Sequence, residues 1–176
     1  PLRMPVQDVY KFDARRIITG RIAAGQLKVG DHLVFSPSNK RANIRTVEAF
    51  NIEPQPTEGQ AGQSIGVTLD DQIFVERGEI ASHQEHLPSV STAFRANLFW
   101  LGKRPLEKER KYLLRVATKE VDCEVASIHR IIDTMDLAQQ QGSNTVNKNQ
   151  VAELTLRTKT PVAFDLSASF EATGRF

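Results

Sequence analysis

The segment Arg16–Pro37, RIITGRIAAGQLKVGDHLVFSP, constrains this chain more than any other, because turn chemistry, strand pattern and spacing agree along it. Ile17, Thr19 and Arg21 alternate with Ile18, Gly20 and Ile22, and the β-branched content marks a strand rather than a helix. Gly25 ends it. Leu27 and Val29 lead into the tight-turn pair Gly30-Asp31, after which Leu33, Val34 and Phe35 form a second apolar strand that Pro37 closes. Gly20 lies inside a strand, where glycine costs stability and marks a bulge, a barrel corner or another backbone passing close by.

The rest of the chain extends that pattern. Met4 to Phe12 alternates as a first strand, and Asp13-Ala14-Arg15 turns it into the second as a hairpin. Ala42, Ile44 and Val47 follow the polar turn at 38–41, and 53–59, with Pro54 and Pro56, is a loop. A glycine-punctuated strand at 61–69 and Arg77-Gly78-Glu79-Ile80 end the first unit. The polar stretch 82–91, with Pro88, reads as a linker. Beyond it, bulk favours a strand over 92–101, Tyr112 to Val116 is a clear strand, and the long alternation of 120–132 predicts a bent one. The segment 137–149 reads as a surface loop, with strands resuming at Val151 and again at Pro161. No long amphipathic helix occurs, so the class is all-β.

Composition narrows function by exclusion. A net charge of +2 over 176 residues makes no strong electrostatic case for nucleic acid. A single cysteine, Cys123, rules out an internal disulfide framework and suits a reducing compartment. No apolar run approaches the roughly 20 residues needed to cross a bilayer. We therefore expect a soluble, cytoplasmic protein with no membrane association. Strand chemistry is under way by Val6 and the chain stops just after a turn signal at Gly174, so it reads as a piece of a longer polypeptide.

Three motifs in register carry a resemblance: Gly-Arg-Ile with Leu-x-Val-Gly-Asp-x-Leu-x-Phe-x-Pro, then Ala61-Gly62 before an apolar strand, then Arg77-Gly78-Glu79-Ile80. This resembles the second domain of translation-factor-like GTPases such as elongation factor Tu. The second half narrows it. Ala96 to Leu101 with Pro105-Leu106, Tyr112 to Arg115, Val125 to Asp133, Asn149 to Leu154, Phe164-Asp165 and Thr173 to Phe176 together look like the third domain of the GTPase subunit of bacterial sulfate adenylyltransferase, which also occurs fused to adenylylsulfate kinase. The likeness runs from Arg3 to Phe176. It departs where the family tends to place Asp two residues after the His-Arg pair; here Ile132 intervenes and Asp133 follows.

The resemblance implies two consecutive small antiparallel β-barrels, about residues 1–85 and 91–176, the second lacking its last strand. It implies non-catalytic barrels with no cofactor of their own, GTP and Mg belonging to the parent's GTPase domain. The partners it implies are that GTPase domain and the small adenylyl-transferring subunit. The alternative is the second and third domains of a translation factor, binding tRNA or the ribosome.

Candidate sites are few. No Gly-x-x-x-x-Gly-Lys-Ser/Thr phosphate loop is present. Asn147-Lys148-Asn149-Gln150 superficially resembles a guanine-reading motif, but Gln150 stands where a carboxylate is required, and the segment reads as loop. His83 and His86, with Cys123 or His129, have metal-ligand chemistry but no second paired motif, and Cys123 reads as a small core residue. Arg15-Arg16 and Lys40-Arg41 read as solvated turn charge. Phe99-Trp100-Leu101 with Lys103-Arg104 stands out: a Trp and Arg cluster is hot-spot composition, and the competing account is aromatics filling a barrel with bases on its rim. Phe99, Trp100, Lys103 and Arg104 are the candidate partner interface.

Overall fold

The computed structural model describes residues 1–176. The chain folds as two compact units, Pro1–Val90 with Arg115–Glu120 and Val162–Phe176, and Ser91–Leu114 with Val121–Pro161. No helix is long and apolar enough to cross a membrane.

The first unit is built on strands β1 (Met4–Phe12), β2 (Arg15–Arg21), β3 (Gln26–Lys28), β4 (His32–Ser36), β5 (Lys40–Glu48), β6 (Glu58–Gln60), β7 (Ser64–Leu69) and β8 (Ile80–His83). Six of them close into a barrel in the order β1-β2-β7-β5-β4-β8, and β3 and β6 form a separate ribbon. The expected hairpin is present, with Phe12 opposite Arg15 and Asp13 at φ 56° in its tip. The Gly30-Asp31 turn is also present, with Gly30 at φ 88° and the Asp31 carboxylate accepting from Lys28 N at 2.9 Å. Ser82 and His83, which polarity assigns to a linker, belong to β8 instead. β8 is the strand that shuts the ring, pairing with both β1 and β4, so Ser82 is fully buried. Met4, Val6, Ile18, Leu33, Phe35, Val47 and Val67 fill the interior.

Gly20 has a specific reason to be glycine. A Cβ there would lie 2.4 Å from Pro5 O and 3.0 Å from Met4 Cγ, on the neighbouring strand. The β1–β2 ladder also slips between Val6 and Asp8, so the glycine marks both a close backbone approach and a bulge.

The second unit is built on β9 (Ser89–Phe99), β10 (Leu106–Glu107), β11 (Lys111–Val116), β12 (Lys119–Asp133), β13 (Gln139–Gln140), β14 (Thr145–Val146) and β15 (Gln150–Phe164). The main sheet runs β11-β12-β15-β9 with β13 added to β12, and β10 pairs with β14. The strand predicted over 92–101 and the long bent strand over 120–132 are both present, the bend coming from register shifts at 125–127 and 128–130. A second closed barrel, expected over 91–176, is not found in the hydrogen-bond ladders. The reason is visible in the topology: β9 and β11 are the two edges of the main sheet, and no strand joins them. Two further expectations change: 150–164 is one continuous strand, and the 137–149 loop contains two short ones, β13 and β14.

Past β15 the chain belongs to the first unit, where a buried ion pair holds it. Arg3, only 3% exposed, donates from Nε to Asp165 Oδ2 at 2.7 Å and from Nη2 to Oδ1 at 2.9 Å. Its Nη1 donates to Leu2 O at 2.8 Å and to His86 O at 2.7 Å, and its guanidinium lies 4.8 Å from the Phe170 ring centroid. Thr173 Oγ1, in the short helix α1 (Glu171–Gly174), donates to the same carboxylate at 2.6 Å. Burial pushes the Asp165 acid up, but hydrogen bonds from Arg3 and Thr173 and the Arg3 charge outweigh it, so its pKa falls below the ordinary 3.8.

Two outcomes are expected. Gly20→Ala destabilises by about 1–3 kcal/mol in chemical denaturation, as overpacking against backbone does, whereas Gly30→Ala, with nothing within 4 Å of its Cβ, loses only the left-handed backbone preference, about 1 kcal/mol. Asp165→Asn costs about 3–5 kcal/mol by leaving the guanidinium buried against a neutral partner. Because the folded-state pKa is depressed, the Asp165 contribution is present above its unfolded value near 3.8 and is lost as pH falls through the lower folded value. Acid titration of stability therefore shows a steeper loss below about pH 4 in the parent chain than in the Asp165→Asn variant.

Candidate functional site

The interface residues singled out in the sequence lie where β9 ends and the chain turns toward β10. Trp100 is anchored on both sides of its backbone: its N donates to Gln150 O at 3.0 Å, and its O accepts from Asn149 N at 2.8 Å. Its indole is occupied as well. Nε1 donates to Arg104 O at 2.8 Å, and the ring meets Tyr112 edge-on, with centroids 6.0 Å apart at 76°. Tyr112 in turn accepts from Glu107 N at 2.8 Å. A Cβ on Gly102 would lie 2.4 Å from Trp100 Cζ2, so the ring is seated on the glycine.

The half-buried Trp100 is thus a pin that fixes the 99–105 turn. Around it Phe99 is 49% and Leu101 64% exposed, and Lys103 and Arg104 are exposed. Neither cation is in an ion pair. The arrangement presents apolar surface beside unneutralised positive charge on a rigid turn, which suits an acidic protein surface better than a small molecule.

The other candidates resolve into structural roles. Gln150 is buried and its Oε1 accepts from Asn147 N at 2.8 Å, capping its own turn. His83 Nε2 meets Asp31 Oδ2 at 3.0 Å, His129 Nε2 meets Thr155 Oγ1 at 2.8 Å, and His86 supplies only its carbonyl to Arg3. No group of three or more His, Cys, Asp or Glu is placed to hold a metal. Cys123 is buried, and burial first, then the charges of Asp122 and Glu124, push its thiol above the ordinary value. A thiol in that environment is a poor nucleophile. Arg41 contacts Asn39 and Gln84, and Lys40 Nζ donates to Phe74 O.

Two surface features carried too little signal in the sequence. Tyr10 and Phe12, at alternate positions of β1, are 55% and 62% exposed, and Tyr10 lies opposite Ile17. Aromatic residues two apart on a strand whose other face fills the barrel are the trace that would have revealed them. The second feature is an arginine-lined cleft that draws residues from β2, β5 and the segment after β7.

Comparison with known proteins agrees with this geometry. Residues 93–176 match the family described as GTP-eEF1A C-terminal domain-like. Sulfate adenylyltransferase subunit 1 of Shewanella oneidensis is 31% identical over 180 residues, covering 99% of this chain and 36% of that protein. The subunit 1 of Francisella tularensis subsp. tularensis is 32% identical over 177 residues, covering 99% and 37%. Over nearly its whole length the chain is thus similar to sulfate adenylyltransferase subunit 1, and its second half to the GTP-eEF1A C-terminal domain-like family. It spans little more than a third of those relatives' length. The crystal structure of sup35 complexed with GDP shares the fold, with a TM-score of 0.89 at 18% identity over 99% of this chain and 43% of that one. The Trp100 turn falls within the matched region 93–176.

The pinned turn has a direct optical test, because Trp100 is the single tryptophan. Gly102→Ala displaces the indole, so emission shifts to the red and stability falls by about 1 kcal/mol, with far-ultraviolet circular dichroism unchanged. An unshifted spectrum would contradict the seating of the ring on Gly102.

Proposed function

We propose that this chain is a non-catalytic part of the GTP-hydrolysing subunit of a sulfate adenylyltransferase. Residues 1–85 and 91–176 are its domain 2-type and domain 3-type portions, bracing the GTPase domain and contacting the subunit that transfers the adenylyl group. In this reading the parent enzyme makes adenylyl sulfate from ATP and sulfate in the cytoplasm. The observation that carries it is the near-complete coverage of this chain by sulfate adenylyltransferase subunit 1 sequences at 31% and 32% identity.

The partner surface is Phe99, Trp100, Lys103 and Arg104. Pre-organisation argues for it: a turn already fixed by the Trp100 hydrogen bonds loses little conformational entropy on docking. The exposed Lys103 and Arg104 add electrostatic steering toward an acidic surface.

Calorimetric titration of the chain with the small adenylyl-transferring subunit tests this, with aminoacyl-tRNA as comparison. Binding is expected to the subunit, and Lys103→Ala with Arg104→Ala weakens it about tenfold, mostly through a slower association rate. No binding by the folded chain removes the partner surface from these residues. Preferential binding to aminoacyl-tRNA sinks the sulfate reading in favour of a translation-factor one.

A further inference from the structure

We propose that the cleft at the tip of the β1–β2 hairpin is an oxyanion site that takes a phosphate group, free or carried on a nucleotide. The cleft has a volume of about 450 Å³, within the range of small-ligand sites. It is lined by the apolar Ile18, Leu69 and Ile73 and by three arginines, Arg15, Arg16 and Arg45. Sequence spacing separates Arg45 from the other two by the whole of β3 and β4, and the pairing of both β2 and β5 with β7 brings them to one cavity.

Arg45 is placed by a defect in the ladder. Ile44 pairs with Leu69 and Thr46 with Thr68, so the register slips and Arg45 has no residue opposite it. Bulges of this kind redirect a side chain, and here the redirected residue lines the cleft. The Arg45 side chain has neither an ion pair nor a hydrogen-bond partner. Arg16 is fixed by a different device: its guanidinium lies 4.0 Å from the centroid of the Phe74 ring, and Lys40 Nζ holds the Phe74 carbonyl. Stacking on a ring orients a guanidinium while leaving its charge and its in-plane donors free. Arg15 is only loosely balanced, 4.0 Å from Glu48.

Two carboxylates, Asp70 and Asp71, also line the cleft, which leaves its three arginines one charge in excess. Asp70 is engaged by Asn43, accepting from its N at 2.8 Å and its Nδ2 at 2.7 Å, and those bonds lower its pKa. Asp70 therefore stays charged but spends its oxygens on Asn43, and neither it nor Asp71 is in an ion pair with an arginine of the cleft. Thr46 and Thr68 place two hydroxyl oxygens 2.6 Å apart in the same cleft, but Thr46 Oγ1 donates to Glu48 Oε1 at 2.8 Å and the other proton lies between the two hydroxyls, so the donors open to an anion are those of the arginines. Guanidinium forks match a phosphate group, whose oxygens accept several donors at once. This site does not involve Phe99 to Arg104, so the proposal stands or falls independently of the partner surface.

Titration of the 176-residue chain with inorganic pyrophosphate, at constant ionic strength and read by the Arg Nε–H resonances in nuclear magnetic resonance, tests it. The Arg15, Arg16 and Arg45 signals are expected to shift together and saturate. Arg45→Ala then weakens binding about tenfold or more, Arg45→Lys is intermediate because it keeps charge without the fork, and Arg110→Ala, which removes an arginine of the second unit paired with Glu107, has no effect. A parallel titration with ATP assigns the source: tighter binding at the same resonances points to a nucleotide-borne phosphate, and equal or weaker binding to a free one. The proposal is overturned if the three resonances do not saturate, if sodium chloride at matched ionic strength reproduces the shifts, or if Arg45→Ala binds within about twofold of the parent.

Discussion

The pairing of Arg3 with Asp165 sets the condition under which the first unit can exist in this form. Arg3 precedes β1 directly and lies between Leu2 and Met4, both core residues, so its guanidinium has no route to water. A buried cation is tolerable only when its charge is matched and its donors are used. Asp165 matches the charge with two bonds, while Leu2 O and His86 O take Nη1. The partner carboxylate is 162 residues away in sequence, so the N-terminal strand can be buried as it is only if the segment after β15 returns to it. Thr173 Oγ1 and the Phe170 ring complete the enclosure, and Asp165 N donates back to Thr173 O at 3.1 Å. The segment 162–176 therefore belongs with the first unit, although it begins inside β15, most of which belongs to the second.

That dependence explains what the sequence reveals and what it hides. Local chemistry is legible: the β1–β2 hairpin, the Gly30-Asp31 turn, the close approach at Gly20 and the bent strand β12 all follow from alternation and turn residues within a few positions of one another. Closure is not local. Whether Ser82 and His83 form a linker or the final barrel strand depends on open edges at β1 and β4, and polarity alone points the wrong way because Ser82 hides its hydroxyl against Val34 O. The return of 162–176 has no pattern at all, since a single Asp identifies neither its partner nor its burial. The four-residue helix at Glu171–Gly174 is similarly silent, being too short for periodicity.

The candidate site divides along the same line. The sequence singles out the aromatic and basic cluster at 99–104 by composition, and the structure brings those residues to one turn. What composition leaves undecided is which member binds and which supports. Trp100, the residue with the strongest hot-spot chemistry, is engaged with Arg104 O, Gly102 and Tyr112, whereas Phe99, Lys103 and Arg104 keep exposed surface. In the interface proposed above, a tryptophan that stiffens the turn would act indirectly, by lowering the entropy lost when the flanking residues dock.

Phe74 plays the corresponding part in the first unit, holding the Arg16 guanidinium in place by its face rather than by a counter-ion. The difference from Arg3 is instructive. Both arginines meet an aromatic ring, but Arg3 is buried and neutralised by a carboxylate, so its chemistry ends in stability. Arg16 is half-buried and has only the ring, so its charge is oriented and unspent. Arg45, unpaired at a bulge, is in the same condition. Orientation without neutralisation costs a protein self-repulsion among like charges, and a fold tolerates that most readily where solvent screens it. Both residues lie at the open hairpin end of the barrel, where solvent supplies that screening and where an incoming anion would displace it.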